Sequence, residues 1–245
     1  MILFSFAKHD CDTKNLIIRN FIGRTAMMIK AIFKLWGISD YQDAWIIHRA
    51  LLDRLFHLHE LGENNDFCEF DDWSFFEQYK GQNRVKSDPE FKHESVGWVY
   101  ELTDEQKLRI KSLSASHPKW RRPKAETVAK SMELEFLYKY GYDFASTNVH
   151  PMANDGQQDF YTITKLEPAP RFPDQISVLS NSLLAGSLLL QEALNYSGFK
   201  WRPLLWDYLE QTRRFLDEGN SSFKESFLKL GRIFLESELS EKTMA

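Results

Sequence analysis

The stretch from Tyr41 to Leu61 is apolar on nearly every side, and this limits the chain's architecture more than any other feature. Plotted at helical spacing, Ala44, Leu51, Leu55 and Leu58 form one stripe, while Trp45, Leu52 and Phe56 cover much of another side. A helix of that kind belongs at the centre of a bundle, with other helices packed around it. Arg49 and Asp53 interrupt the apolar surface on the side away from the Ala44–Leu51 stripe. Four residues apart, they share a helical face, and a charge in such surroundings must be paired or put to use.

The neighbouring segments read the same way. A first helix is expected from about Asn15 to Trp36, stopped by Gly37. Ser39 to Gln42 has the form of a capping box, with Ser39 as N-cap, and the second helix should end at Gly62. The short link between them predicts antiparallel neighbours. A second capping box, Thr103 to Gln106, opens a helix to about Leu113. Further helices are expected over about Lys124–Lys139, Tyr142–Val149, Asp174–Tyr196, Pro203–Asp217 and Ser222–Leu239, with a short extended piece at Tyr161–Lys165. From 63 to 102, acids, Asn, Gly and Ser interleave with aromatics. This reads as an irregular insertion carrying one short helix near Asp72–Lys80. The fold class is therefore all-α, a single domain over 1–245 with its core at about 15–62 and 103–240 and the insertion at 63–102.

Composition narrows the functional classes. A net charge of -4 confines any nucleic-acid contact to a local basic patch. Cys11 and Cys68 are the only cysteines, too few for a thiolate zinc site or a disulfide framework. No metal cluster, Gly-rich phosphate loop or cofactor motif appears, so neither metal nor cofactor is expected. The apolar start, Met1 to Ala7, lacks a charged leader and is broken by Lys8, and no run is long enough to span a bilayer. A cytoplasmic location without membrane association follows as the expectation.

Three polar constellations stand out. Arg49 with Asp53 can bind a phosphate or other anion, Asp53 holding the guanidinium in place; the same pair could instead close a core or a subunit interface. In the run YDFASTNVHP, Tyr142 to Pro151, Ser146 and His150 are again four apart. His150 could act as general acid or base with Ser146 orienting it, or could simply cap the helix end. Arg54 with His59 has the R-x4-H spacing of HEPN ribonucleases, but Leu55 follows Arg54 where those nucleases usually have a polar residue, and a solvated pair on a helix face is the better account. Lastly, HPKWRRPK, His117 to Lys124, offers Lys119, Arg121, Arg122 and Lys124 for phosphates and Trp120 for a base face. Its alternative is a solvated loop with Trp120 turned inward.

The run YQDAWIIHRALLDRL, Tyr41 to Leu55, resembles an uncharacterised bacterial helical family, domain-of-unknown-function family 5677. The family pattern is G-x-x-x-D-A-x-x-L-x-R-S-L-x-E, with Gly37, Asp43, Ala44, Arg49 and Leu52 or Asp53 in matching places. The stretch from Pro118 and the run Tyr142–Pro151 resemble its second half, Y-x-x-x-S-x-x-V-H. Asp53 stands where the family usually has Glu, which shortens its reach toward Arg49. The resemblance implies an all-α, HEPN-like bundle of the kind common in bacterial toxin and phage-defence systems, and it carries no established activity. It also implies that Arg49, Asp53, Ser146 and His150 converge in one site. The expected function is an RNA-directed protein, a candidate metal-independent endoribonuclease, with RNA and a cognate protein as partners and a homodimer as its form. The alternative is a non-catalytic helical module that binds a partner protein or a small anionic ligand.

Overall fold

The computed structural model describes residues 13–91, 102–150, 153, 156–165, 177–198 and 202–218, with isolated positions at 225, 228, 229 and 232. Among these residues the chain is all-helical, without strands. It divides into two compact units, one drawn from the chain up to Glu60 and from Pro123 onward, the other from Leu61 to Arg122.

In the first unit, α1 (Thr13–Gly37) buries Ile17, Ile18, Ile22, Thr25, Met28 and Ile32, one stripe at helical spacing. The next helix, α2 (Tyr41–Asn64), crosses into the second unit at its end. As its composition requires, Ala44, His48, Leu51, Leu52, Leu55 and Leu58 are fully shielded from solvent. After α5 (Ala125–Ser131) comes a composite segment, α6. It comprises Glu135–Leu137, a π-helical stretch Tyr138–Asp143, and Phe144–Ser146. Then follow α7 (Gln157–Thr164), α8 (Ser177–Tyr196) and α9 (Arg202–Asp217). Helix α8 lies along α1 and also packs on α9. Its buried Ser182, Ala185, Gly186 and Ala193 let it approach closely: a Cβ at Gly186 would sit 2.5 Å from Ile29 Cδ1.

The second unit holds α3 (Phe67–Ser87), a 3-10 turn (Pro89–Phe91) and α4 (Asp104–Ser116). The irregular insertion expected here gives way to a 21-residue helix. Phe67, Phe70, Trp73, Phe76 and Tyr79 recur every three residues, and that repeat supplies a buried face. Phe70 and Trp73 meet Trp120 edge-on and tilted, at 4.8 and 4.6 Å between ring centroids. Arg109 on α4 pairs with both Asp71 and Asp72 and lies over the Phe75 ring. The Thr103 capping box forms as the sequence predicts, with both reciprocal bonds made.

Other helix ends differ from expectation for one shared reason. Ser39, Asn65, Glu133 and Lys165 adopt left-handed backbone conformations without being glycine. At Ser39 the Ser39 and Asp40 amides donate to the Trp36 and Leu35 carbonyls, a Schellman closure of α1. The N-cap of α2 is consequently Asp40, whose carboxylate accepts from the Asp43 amide, and not Ser39. Asn65 moves the end of α2 past Gly62, and Glu133 breaks the helix expected to run unbroken to Lys139. Tyr161–Lys165, expected to be extended, is instead the end of α7, closed by Lys165. Of the helix expected over Ser222–Leu239, only positions 225, 228, 229 and 232 are described, and these are helical; the rest lies outside the described residues.

Two stability measurements check this account. Leu51→Ala should cost about 2–5 kcal/mol in denaturant unfolding, because Leu51 is fully buried. Ser39→Gly should add about 0.5–1 kcal/mol by removing the penalty of a left-handed serine.

Candidate functional site

Arg49 and Asp53 project from one turn of α2 toward α6, and the residue between them and that segment is Tyr142. The Arg49 Nε–H donates to Ser146 Oγ at 2.8 Å, and Nη2 donates to the Tyr142 hydroxyl at 3.1 Å. The guanidinium also lies over the Tyr142 ring, 4.7 Å from its centroid. The Asp53 carboxylate lies near enough to Tyr142 for its charge to bear on the tyrosine. Ser146 uses its own proton on the Tyr142 carbonyl, at 2.7 Å. Arg49, Asp53 and Ser146 thus meet around a tyrosine that the sequence reading left outside the site. Its signal was present, since Tyr142 and Ser146 are four apart.

The ring is fixed from several sides. Tyr138 stacks on it at 5.7 Å, and Phe56 approaches at 6.1 Å. Burial and the neighbouring Asp53 charge raise the Tyr142 pKa, with the Arg49 charge opposing. Tyr138 is raised by burial and by Glu126 and Asp143. Among the described residues no carboxylate forms an ion pair with Arg49, and its Nη1 takes no hydrogen bond.

Beneath this network lies His48, fully buried. Ser182 Oγ–H donates to the Val178 carbonyl at 2.6 Å, so it accepts from His48 Nδ1–H, 2.9 Å away. The proton inventory therefore leaves Nε2 bare, and it is buried without a hydrogen-bond partner. Burial lowers the His48 pKa from 6.5 to about 4.

His150 is placed differently. The α-helical winding ends at Ser146, and the next amides bond three residues back, from Thr147 to Phe144, Asn148 to Ala145 and Val149 to Ser146. This tighter winding removes the four-residue stacking expected of Ser146 and His150. His150 is exposed, and among the described residues no hydrogen bond, ion pair or ring contact reaches it.

The basic connector is split by role. Trp120 is buried in the second unit against Phe70 and Trp73, so its faces are committed to the core. Arg121 donates to the Pro118 and Trp120 carbonyls. Lys119, Arg122 and Lys124 are exposed. Asp71 and Asp72 pair with Arg109. Of the R-x4-H pair, His59 Nδ1 lies 2.9 Å from the buried Glu192, while Arg54 donates to the Ala50 carbonyl. Burial and the nearby Arg24 charge lower the Arg54 pKa. Among the described residues no group of three His, Cys, Asp or Glu could hold a metal ion. None of their helices is long and apolar enough to cross a membrane.

An all-helical chain whose central helix presents an arginine to a tyrosine–serine segment is the class that fold and site define. The chain belongs to the Family of unknown function (DUF5677), which it matches over residues 15–161, a span that includes the whole Arg49–Tyr142–Ser146 network. No curated protein and no solved structure matches it.

Because His48 is held neutral, its contribution to stability is complete above pH 6.5 and is lost as pH falls from 6.5 toward 4. The size is about 3 kcal/mol. In His48→Asn, which keeps a donor for Ser182, unfolding measured across that window should be flatter by this amount.

Proposed function

We propose that the protein is an RNA-directed module of HEPN-like build that recognises phosphate through Arg49. The observation carrying this reading is the state of the guanidinium. Two of its donors are fixed on uncharged oxygens, no carboxylate pairs with it among the described residues, and its third nitrogen is uncommitted. A cation oriented in this way is suited to a phosphate oxygen, which would restore charge balance at low reorganisation cost. Ser146 and Tyr142 hold the guanidinium, with the Asp53 charge nearby. The exposed Lys119, Arg122 and Lys124 would add only general attraction for a polyanion.

In its catalytic form the module is a metal-independent endoribonuclease of a bacterial toxin or phage-defence system. His150 would accept the 2′-OH proton as the 2′-oxygen attacks phosphorus to form a 2′,3′-cyclic phosphate. The P–O5′ bond would break with the 5′-oxygen taking a proton from water, and Arg49 would neutralise the phosphate as charge builds. Exposure gives His150 access to such a proton. The non-catalytic form, binding a partner protein or small anionic ligand, is favoured by the groups that Arg49 actually bonds, the neutral hydroxyls of Tyr142 and Ser146. A homodimer is part of the proposal, supported by exposed Met27, Phe33 and Ile38 on and just after α1.

Incubating the protein with a mixed RNA panel, with and without EDTA, tests the reading beside Arg49→Ala and His150→Ala. EDTA-resistant cleavage absent from both variants is the catalytic outcome. RNA binding without cleavage, weakened in Arg49→Ala alone, selects the binding module. Folded wild type that binds no RNA overturns the RNA reading. Light scattering should return about twice 28.9 kDa; a monomer mass removes the dimer.

A further inference from the structure

We infer that His48 is a positioning residue for the Arg49 site, acting through its contact with Gly141. The π-helical stretch Tyr138–Asp143 rests on the His48 ring at its single glycine. A Cβ at Gly141 would lie 3.1 Å from His48 Nε2 and 2.9 Å from Leu52 Cδ1. Any larger residue has to displace the ring, the leucine or the segment itself. The ring has little freedom to yield. Its Nδ1–H is bound to Ser182 on α8, and Trp45 meets it edge-on at 5.2 Å.

Two things at this contact lack another explanation within the packing. One is the bare, buried Nε2, a polar atom left without a hydrogen bond. The other is the π winding itself, which carries an extra residue per turn and turns Tyr142 by most of a right angle relative to an α-helical continuation. Tyr142 follows Gly141 directly, and Ser146 is one turn further on. The height at which Gly141 sits on the imidazole therefore sets where the Tyr142 hydroxyl and Ser146 Oγ meet Arg49 and Asp53. Only its consequence for ligand rests on the phosphate reading; the positioning itself is a statement about Tyr142.

The test reads Tyr142 directly. In protein carrying ring-labelled tyrosine, carbon NMR follows the Tyr142 titration, the signal being assigned by its loss in Tyr142→Phe. The groups that bear on it are Asp53 and Arg49. Gly141→Ala, with cooperative melting retained, should bring that titration down toward the ordinary value near 10 as the ring leaves its buried place beside Asp53. It should also weaken binding of a single-stranded RNA oligonucleotide about tenfold. His48→Asn, which removes the ring and leaves Gly141 in place, should also shift the titration. An unchanged Tyr142 titration in folded Gly141→Ala or in His48→Asn overturns the inference. If Gly141→Ala does not fold, His48→Asn alone decides, because removing the ring must also shift Tyr142. If Tyr142 responds throughout but wild type binds no RNA, the positioning role stands and the phosphate reading falls.

Discussion

Helix α2 is buried round most of its circumference, so the polar side chains it carries must find partners inside the protein or bear the cost of lost hydration. Arg54 turns back to the Ala50 carbonyl of α2 itself, and the longer-range partners lie on two other elements. His48 bonds Ser182 and His59 bonds Glu192, both on α8, while Arg49 bonds Tyr142 and Ser146 on α6. These ties are made in a low-dielectric setting and are directional, unlike the leucine contacts around them. A slip of α8 by one residue would leave a histidine and a glutamate unpaired and would carry Gly186 away from Ile29.

The division of labour follows from magnitudes. Each fully buried leucine of α2 contributes about 2–5 kcal/mol when measured by truncation, against about 1 kcal/mol net for a hydrogen bond between uncharged groups. Apolar burial therefore holds the first unit together, and the polar ties decide which of several similar packings is occupied. The second unit achieves the same with rings. Its aromatic face around Trp120 supplies area, and the Arg109 fork onto Asp71 and Asp72 supplies direction, although both acids are well exposed and their pairing contributes little energy.

Legibility in the sequence follows the same physics. The apolar periodicity of α1, α2, α8 and α9 was readable because burial repeats with the helical period, and the Arg49–Asp53 face was readable because it breaks that period. The Thr103 cap was readable from residue chemistry alone. Helix ends were not, since Ser39, Asn65 and Glu133 take the left-handed position that glycine usually marks, while Gly37 and Gly62 lie within helices. The aromatic repeat from Phe67 was masked by intervening acids and by Gly81. At the site, spacing brought out Arg49 with Asp53 and Tyr142 with Ser146, but it gave no hint of π winding. That winding depends on a tertiary contact between Gly141 and a histidine more than ninety residues away. The same counting suggested that His150 stacks over Ser146, an inference valid only while the chain remains α-helical.

What the site can do is bounded by where its protons already are. Ser146 has given its hydroxyl proton to the Tyr142 carbonyl, so making it a nucleophile would first strip a helix carbonyl of its partner. Tyr142 lies between a carboxylate that favours its neutral form and a guanidinium that opposes it, with burial siding with the carboxylate. Neither hydroxyl exchanges a proton cheaply near neutral pH. Arg49 remains charged throughout, held in a fixed direction by groups that do not cancel its charge. Such an arrangement is organised to hold an anion, and to hold it in one orientation. Any proton transfer coupled to that binding has to be supplied from outside the network, and His150 stands exposed at the end of the same segment.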